Sequence, residues 1–292
     1  MIRNWHHKDG LNAGEHETFA KNVAKWIEHG QTHLELCFVM VKSDEIIGGI
    51  AFSADESEQV SILDFSISHD SFHFGAELIV QSIEATSFRS VCYHLYNDSE
   101  QYSRYRQCFI DAGLVVAQEK LSYRFTGELL GYSETEITYR SYKEVGDEAF
   151  INAIRIVTQR TLDRADLRSV LLNGESKAAE ILISDLKELD FQPEIWMLAY
   201  SNDSFVGLVI PTNFGDAYDG KYGALNYIGV TPSERGKGYV DILLMKGTQL
   251  LISQGVTTII ADIDVLNHPM KHALERNGYI FDCEEVVLEK LY

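Results

Sequence analysis

The chain has 292 residues, 45% of them hydrophobic, and a formal net charge of −19. This acidity argues against a nucleic-acid partner, because proteins that bind phosphate backbones present a basic face. No run approaches the roughly 20 apolar residues of a membrane span, and residues 1–10 lack the apolar core of a signal peptide, so we expect a cytoplasmic protein without a membrane partner. No Cys-x-x-Cys pair occurs, and we expect reduced, mostly buried thiols at Cys37, Cys92, Cys108 and Cys283.

Three segments of the first half have patterns typical of regular structure. Residues 38–50 are typical of strand, polar turn and strand, residues 62–68 of a further strand, and residues 105–113 of a segment that ends at a glycine. Between them, His69 and His73 lack the partnering cysteine or carboxylate spacing of a metal site. We therefore expect no metal in this chain.

The second half contains a loop suited to binding an anion. Residues 225–230 form a short apolar run, a Pro-Ser pair interrupts it, and residues 240–251 resume with helical spacing. The intervening Arg235-Gly-Lys-Gly238 is therefore expected at a helix start, where unpaired N–H groups and a partial positive charge favour anions. Its glycines allow close backbone approach, and its arginine and lysine add charge. The spacing excludes a mononucleotide P-loop and a dinucleotide fingerprint.

A β-rich run and a well-capped helix follow the loop. Residues 257–266 are rich in β-branched residues, and Asn267 is a sound helix N-cap with Pro269 in the first turn. Gly278 suits a left-handed helix exit before Tyr279. The order is thus strand, loop, helix, strand and helix.

The first-half segments recur in the same order roughly 160 residues later, which predicts two copies of one α/β unit. The second copies are residues 195–208, residues 225–231 and the segment that ends at Gly278. Where the second copy has its basic glycine loop, the first has Phe72-His-Phe-Gly75, with one glycine and no arginine or lysine. A pyrophosphate would find little to hold it there.

The loop and the capped helix together resemble the GCN5-related N-acetyltransferase (GNAT) superfamily. Its coenzyme A pyrophosphate loop has the pattern Arg/Gln-x-x-Gly-x-Gly/Ala, and this chain has Arg235-Gly-Lys-Gly238-Tyr-Val240. Val240 departs from the small residue usual at the last position. The segment from Asn267 to Tyr279 resembles the second signature of the superfamily, an asparagine that opens a helix ending in an aromatic residue after glycine.

The resemblance implies an α/β (α+β) fold with two acetyltransferase-like domains, each a mixed V-split β-sheet flanked by helices. We expect a degenerate domain without a phosphate loop at residues 1–134 and a working domain at residues 135–292. In the second domain, the resemblance implies strands at residues 137–142, 195–200, 205–211, 224–230 and 258–265, with a C-terminal pair within 279–291. It implies helices at residues 146–159, 177–189, 239–254 and 269–277.

The resemblance also implies acetyl-CoA as co-substrate and assigns contacts to it. Ile228 and Val230 are expected to offer backbone groups to the pantetheine arm, and Asn267 is expected near the thiol end. The residues expected around the pyrophosphate are Arg235, Gly236, Lys237, Gly238, Tyr239 and Val240.

The catalytic groups are less clear, because this chain has Ala224 and Leu274 where many relatives have a glutamate base and a tyrosine acid. Acyl transfer to an amine needs a proton acceptor and a group that stabilises the leaving thiolate. Three alternatives stay open: a water relay through polar groups near the split, direct attack with little acid help, or lost catalysis. The relay candidates are Asn226, Tyr227, Asp262, Asp264 and His268. Asp262 and Asp264 share one face of a strand, which suits either a cationic substrate or solvent.

We therefore expect an N-acyltransferase that moves an acetyl group from acetyl-CoA to an amine, a small cationic molecule, by direct attack in a ternary complex. The alternatives are a non-catalytic acyl-CoA sensor and, for the first half, a protein-interaction module. A homodimer is compatible with the sequence. The sequence does not identify the acceptor, because fold does not imply substrate.

Overall fold

The structure is a computed structural model that describes residues 1–6, 9, 14–54, 60–86, 88–97, 100–127, 137–217 and 220–291. Its contacts divide the chain into two units. The first comprises Met1–Glu119 and Glu285–Tyr292, and the second comprises Lys120–Glu284.

The first unit is a mixed sheet with helices packed on it. Its elements are β1 (Ile2–Asn4), α1 (Glu17–Glu28), β2 (Cys37–Lys42), β3 (Glu45–Phe52), β4 (Val60–Ile67), α2 (Gly75–Glu84), β5 (Ser90–Tyr96), α3 (Tyr102–Asp111) and the start of β6 (Val115–Phe125). Strands β1 to β5 lie side by side in chain order. Neighbours are antiparallel except β4 and β5, which are parallel. The core includes Leu78 and Ile79 of α2 and Phe109 of α3, all fully buried.

The second unit repeats this arrangement with more helix. Its elements are β7 (Ile137–Ser141), α4 (Tyr142–Val157), α5 (Arg164–Asn173), α6 (Glu175–Lys187), β8 (Met197–Ser201), β9 (Ser204–Ala217), β10 (Gly220–Val230), α7 (Tyr239–Ser253), β11 (Thr258–Asp264), α8 (His268–Arg276) and the start of β12 (Ile280–Leu291). Strands β7 to β11 lie in chain order, and β10 and β11 are the parallel pair. Trp196, Phe150 and Ile154 are fully buried in its core.

The two units share their local turns as well as their strand order. In the first unit, the β2–β3 hairpin turns at Ser43 and Asp44, both with positive φ. In the second, the β8–β9 hairpin turns at Asn202 and Asp203, again both with positive φ. Consecutive positive φ values in two-residue polar turns are typical of tight hairpins. The predicted pair of related α/β units is therefore confirmed.

The units exchange their last strands. Residues 120–125 of β6 pair antiparallel with β11 of the second unit, while residues 285–291 of β12 pair antiparallel with β5 of the first. Val286 and Leu288 are accordingly part of the first core. The predicted division between residues 134 and 135 lies outside the described residues, and the packing groups the last eight residues with the first unit rather than the second.

Most predicted elements of the second domain are present, with three differences. The predicted C-terminal pair of strands is wrong, because β12 is one strand, and Glu285 near its centre is buried against Nδ1 of His94. Helix α5 was not predicted, since none of its side chains is buried and its leucines give no core-facing pattern. Helix α4 begins before the predicted start and breaks at Gly146.

All four cysteines are free thiols, and Cys37, Cys92 and Cys108 are buried, as predicted, whereas Cys283 is partly exposed. Within the described residues, no helix is long and apolar enough to cross a membrane.

Replacing Leu288 of β12 by alanine tests the strand exchange. Leu288 is 0% exposed in the first core, whereas Leu291 on the same strand is 66% exposed. We expect Leu288→Ala to lower the free energy of unfolding by about 3 kcal/mol, because it removes buried methyl groups and leaves a cavity. Leu291→Ala, the matched control, should change it by less than about 0.5 kcal/mol. Equal effects in urea denaturation would contradict the exchanged packing.

Candidate functional site

The parallel strands of the second unit separate soon after they meet. Strands β10 and β11 pair only where residues 222–224 lie beside residues 258–260. Beyond that point β10 stays paired with β9 as far as Val230, and β11 stays paired with β6 as far as Asp264. Within the described residues, the facing edges of β10 and β11 then carry no pairing to each other. This is the predicted V-shaped split.

A pocket of about 680 Å³ opens at the split. Eleven of the predicted site residues line it: Asn226, Tyr227, Ile228, Val230, Arg235, Gly236, Gly238, Tyr239, Val240, Asp262 and Asn267. Among the described residues, three predicted site residues are not part of this lining: Lys237, Asp264 and His268. The pocket thus brings together the split and the loop that follows β10.

The glycine loop lies directly before a helix, as the sequence predicts. A short 3-10 helix at Pro232–Glu234 leads into it, and α7 begins at Tyr239. Gly236 and Gly238 have φ of +79° and +85°, a left-handed backbone that favours glycine. Gly238 occupies the N-cap of α7, where no side chain caps the helix. The first N–H groups of α7 therefore have no capping side chain as acceptor, and the positive end of the helix dipole lies at the same place.

Arg235 differs from its expected role. Its guanidinium donates to the carbonyl oxygens of Val157, Gln159 and Arg160 at 2.9 Å each, and its Nε donates to Val230 at 3.2 Å. These carbonyls include the unpaired end of α4, which attracts a cation. Arg235 therefore fixes the loop to the end of α4 instead of offering its hydrogen bonds to a ligand. Burial also lowers its pKa.

The other loop charge is exposed. Lys237 forms an ion pair with Glu234 at 3.0 Å, and its side chain is 56% exposed. Arg276 of α8 also lines the pocket, and it donates to Asp241 in the first turn of α7 at 3.0 and 3.1 Å. Asn277 donates to the same carboxylate at 2.7 Å. Arg276 was not predicted, since only the packing of α8 on α7 places it at the loop.

A β-bulge in β10 redirects one predicted residue. Leu225 pairs with Pro211 and Tyr227 with the next residue of β9, so Asn226 is the extra residue. Before the bulge, Leu225 lies against Gly247 of α7, whereas after it Gly229 faces Val157 of α4. An uninterrupted strand would keep residues 225, 227 and 229 on one face. The bulge therefore turns Tyr227 toward α4 and α5.

Tyr227 meets an acidic residue that the sequence did not single out. Its hydroxyl donates to Oδ2 of Asp166, in the first turn of α5, at 2.7 Å, and the Thr161 hydroxyl donates to the same oxygen at 3.3 Å. Burial raises the pKa of Asp166 to about 6, although the two hydroxyl bonds act against it. Burial and the neighbouring carboxylate raise the pKa of Tyr227, which stays protonated and donates. Both residues line the pocket.

The remaining catalytic candidates lie in other surroundings. Asp264 is 0% exposed, and its carboxylate accepts from Nε of Arg164 at 2.8 Å and from two backbone N–H groups. It therefore anchors the start of α5 and does not face the pocket with Asp262, which is exposed. His268 is exposed at the start of α8. The predicted pair of carboxylates therefore does not act together, because Asp264 is buried and Asp262 is exposed.

The side chains of Asn267 and Leu274 stabilise the fold around α8. The Asn267 side-chain oxygen accepts from the N–H of Met270 at 3.3 Å and so caps α8, as the sequence predicts for an N-cap. Leu274 is fully buried in the core. Among the described residues, no group of histidine, cysteine, aspartate and glutamate side chains could hold a metal ion.

The corresponding segment of the first unit is a 3-10 helix whose following glycine packs against a neighbouring helix. A 3-10 helix at His69–Phe74 replaces the glycine loop, and α2 begins at Gly75. A β-carbon at Gly75 would lie 2.4 Å from Sγ of Cys108, so this glycine permits helix packing. Its φ of −60° is ordinary helical backbone.

A family match covers this same part of the chain. Residues 164–279 match the Acetyltransferase (GNAT) family, and they run from the start of α5 through the split and the loop to the end of α8. This part of the chain is therefore similar to the GNAT family, and it includes the split and the glycine loop that line the pocket.

Curated relatives match over a shorter stretch. An acetyltransferase of Yersinia pestis (strain Pestoides F) is 33% identical over 69 residues, which are 24% of this chain and 45% of the relative. An acetyltransferase of Pectobacterium atrosepticum is 32% identical over 73 residues, 25% of this chain and 48% of the relative. The match thus spans about half the length of these relatives.

Solved structures match the whole chain in fold. A GCN5-related N-acetyltransferase from Sphaerobacter thermophilus has a TM-score of 0.63 at 15% identity and covers 100% of this chain and 95% of its own. A tandem GNAT protein from the clavulanic acid biosynthesis pathway has a TM-score of 0.56 at 9% identity, with 100% and 98% covered. At these identities the likeness concerns the fold alone, and it supports the predicted tandem architecture.

Removing the Arg235 side chain tests its role as an anchor. Arg235→Ala leaves the carbonyl oxygens at the end of α4 without their donor, and we expect the free energy of unfolding to fall by about 2 kcal/mol. Lys237→Ala, which removes an exposed charge two residues away, should cost less than about 0.5 kcal/mol. Chemical denaturation of both variants provides the measurement. Similar stabilities would refute the anchoring role.

The raised pKa of Asp166 predicts a pH-dependent stability. Its folded-state pKa of about 6 lies above the ordinary value of 3.8, so the native state takes up this proton first as the pH falls. Asp166 therefore adds stability below about pH 4 that is lost as the pH rises through 6. When the pH is lowered from 7 to 4.5, the free energy of unfolding of the wild type should rise by about 2 kcal/mol relative to that of Asp166→Asn. A pH-independent difference in urea denaturation would contradict the shift.

Proposed function

We propose that the protein is an N-acyltransferase that uses acetyl-CoA and transfers its acetyl group to a small cationic amine by direct attack in a ternary complex. One observation carries the proposal: the split between β10 and β11 and the glycine loop at the start of α7 open into the same pocket. A split offers unpaired strand edges to an extended pantetheine arm. The loop offers backbone N–H groups to a pyrophosphate.

The proposed contacts to acetyl-CoA follow the lining of the pocket. Ile228 and Val230 supply the strand edge, Gly236, Gly238 and Val240 supply the loop and the first turn of α7, and Asn267 lies across the split. The Val230 carbonyl already accepts from Arg235, which leaves the other polar groups of this strand edge for the ligand.

A cationic acceptor is supported by carboxylates in the same lining. Three carboxylates outside the glycine loop line the pocket: Asp163, Asp166 and Asp262. Their negative charge would attract an ammonium group. We further propose that the protein works in the cytoplasm, where the free thiols of Cys37, Cys92 and Cys108 stay reduced.

A non-catalytic acyl-CoA sensor is the second candidate. Ala224 and the fully buried Leu274 supply neither a base nor an acid at the positions where many relatives have them. This reading requires acetyl-CoA binding without amine-dependent turnover.

Charge reversal in the loop tests acetyl-CoA binding. Calorimetry of the wild type should show one site, and Lys237→Glu should weaken the affinity at least tenfold, because it places a negative charge beside the loop. Lys177→Glu is the matched control, since Lys177 pairs with Glu180 three residues away as Lys237 pairs with Glu234. The control should bind as the wild type does. Equal affinities in all three proteins would contradict the proposed site.

Turnover separates the two candidate functions. Release of free thiol from acetyl-CoA should depend on an added amine in a panel of spermidine, tryptamine and glucosamine at saturating acetyl-CoA. Binding without release on any of these amines would favour the sensor.

A further inference from the structure

We propose that the Asp166 carboxylate is the base that takes the proton from the acceptor amine, with Tyr227 as the residue that positions it. This inference rests on the proposed function of the same pocket and assigns its missing proton acceptor. It arises from the juxtaposition of the β10 bulge and the start of α5, two features that local sequence patterns do not reveal.

Geometry singles out Asp166. Both hydroxyl donors, Tyr227 and Thr161, converge on Oδ2. Among the described residues, Oδ1 accepts no hydrogen bond, and Asp166 lines the pocket. One oxygen is thus held in place while the other remains available to a proton donor in the pocket.

The neighbouring carboxylates are held by other groups. Asp163 accepts from the N–H groups of Ala165 and Asp166 and so caps α5. Asp241 is held by Arg276 and Asn277, and Glu234 by Lys237. Asp264 is held by Arg164, and Asp262 is exposed. Glu234 is also half-buried and bonded through one oxygen, but its partner is the Lys237 cation, whereas the fixed partners of Asp166 are two neutral hydroxyls.

Partial desolvation suits a base for this reaction. A carboxyl with a pKa near 6 is mostly ionised at neutral pH, yet it holds a proton more tightly than an exposed aspartate does. The other titratable groups that line the pocket are Arg160, Asp163, Tyr227, Glu234, Arg235, Tyr239, Asp241, Asp262, His272 and Arg276.

Asp166 begins the acyl transfer by activating the acceptor amine. Asp166 takes one proton from the ammonium form of the acceptor, which leaves a neutral amine. The amine nitrogen forms a bond to the acetyl carbon, the carbon–sulfur bond breaks, and its electron pair leaves on sulfur. The second proton passes from nitrogen to the thiolate, which gives an amide and free coenzyme A. Asp166 then returns its proton to water.

Three variants test the inference on the amine of the panel with the fastest turnover. Asp166→Asn should lower kcat at least about 100-fold, while the acetyl-CoA dissociation constant stays within about twofold of wild type, since the loop is untouched. Asp185→Asn is the matched control: burial also raises the pKa of this aspartate on α6, but it does not line the pocket. It should keep wild-type kcat.

The third variant, Tyr227→Phe, tests the role of Tyr227 through the pH dependence of kcat/KM, which would stay unchanged if Tyr227 only stabilised the fold. The hydroxyl bond lowers the pKa of Asp166, so its loss should shift the acidic limb of the kcat/KM profile to higher pH from about 6. A kcat within threefold of wild type in Asp166→Asn would overturn the inference and leave the proposed function standing. Loss of acetyl-CoA binding in that variant would also overturn it, because the role would then be structural. Acetyl-CoA binding without turnover of any amine by the wild type would overturn both.

Discussion

The separation of β10 from β11 is the constraint on which the site depends. The two strands pair over three residue positions and then part, while their outer edges remain bound to β9 and β6. Backbone polar groups at an open edge need partners, so a split of this kind requires either a ligand or packing elements around it. Here the start of α5 reaches both strands, through Asp166 to Tyr227 and through Arg164 to Asp264. The pocket lies between these contacts and the glycine loop.

The parallel strands of the first unit also pair over only three positions, and aromatic side chains pack close to them. Strands β4 and β5 pair only where residues 60–62 lie beside residues 91–93. Aromatic rings pack nearby, with Phe65 5.1 Å from Tyr105 and 5.0 Å from Phe109 between ring centroids. His16, 2% exposed, bonds to the hydroxyls of Ser66 and Ser68 at the end of β4. The two units thus share a short parallel pairing but surround it with different side chains.

The sequence predicts features that depend on neighbouring residues. The glycine loop, the Asn267 cap and the repeated strand order all follow from local patterns, and the structure contains each of them. The Asp166–Tyr227 contact depends on a one-residue bulge between β9 and β10, which only the pairing register determines. The role of Arg235 depends on the end of α4, which lies about 75 residues earlier in the chain. The single strand β12 was missed because its pairing partner is β5, almost 200 residues earlier.

Hydrogen–deuterium exchange of the full chain, with and without acetyl-CoA, tests the central claim most directly, because each backbone segment reports separately. Acetyl-CoA should slow the exchange of residues 235–240 and of β10 after the bulge, where we place the pyrophosphate and the pantetheine arm. The corresponding segment of the first unit, residues 69–75, should exchange at the same rate in both samples. Protection of residues 69–75, or unchanged exchange at residues 235–240, would contradict the assignment of the site to the second unit.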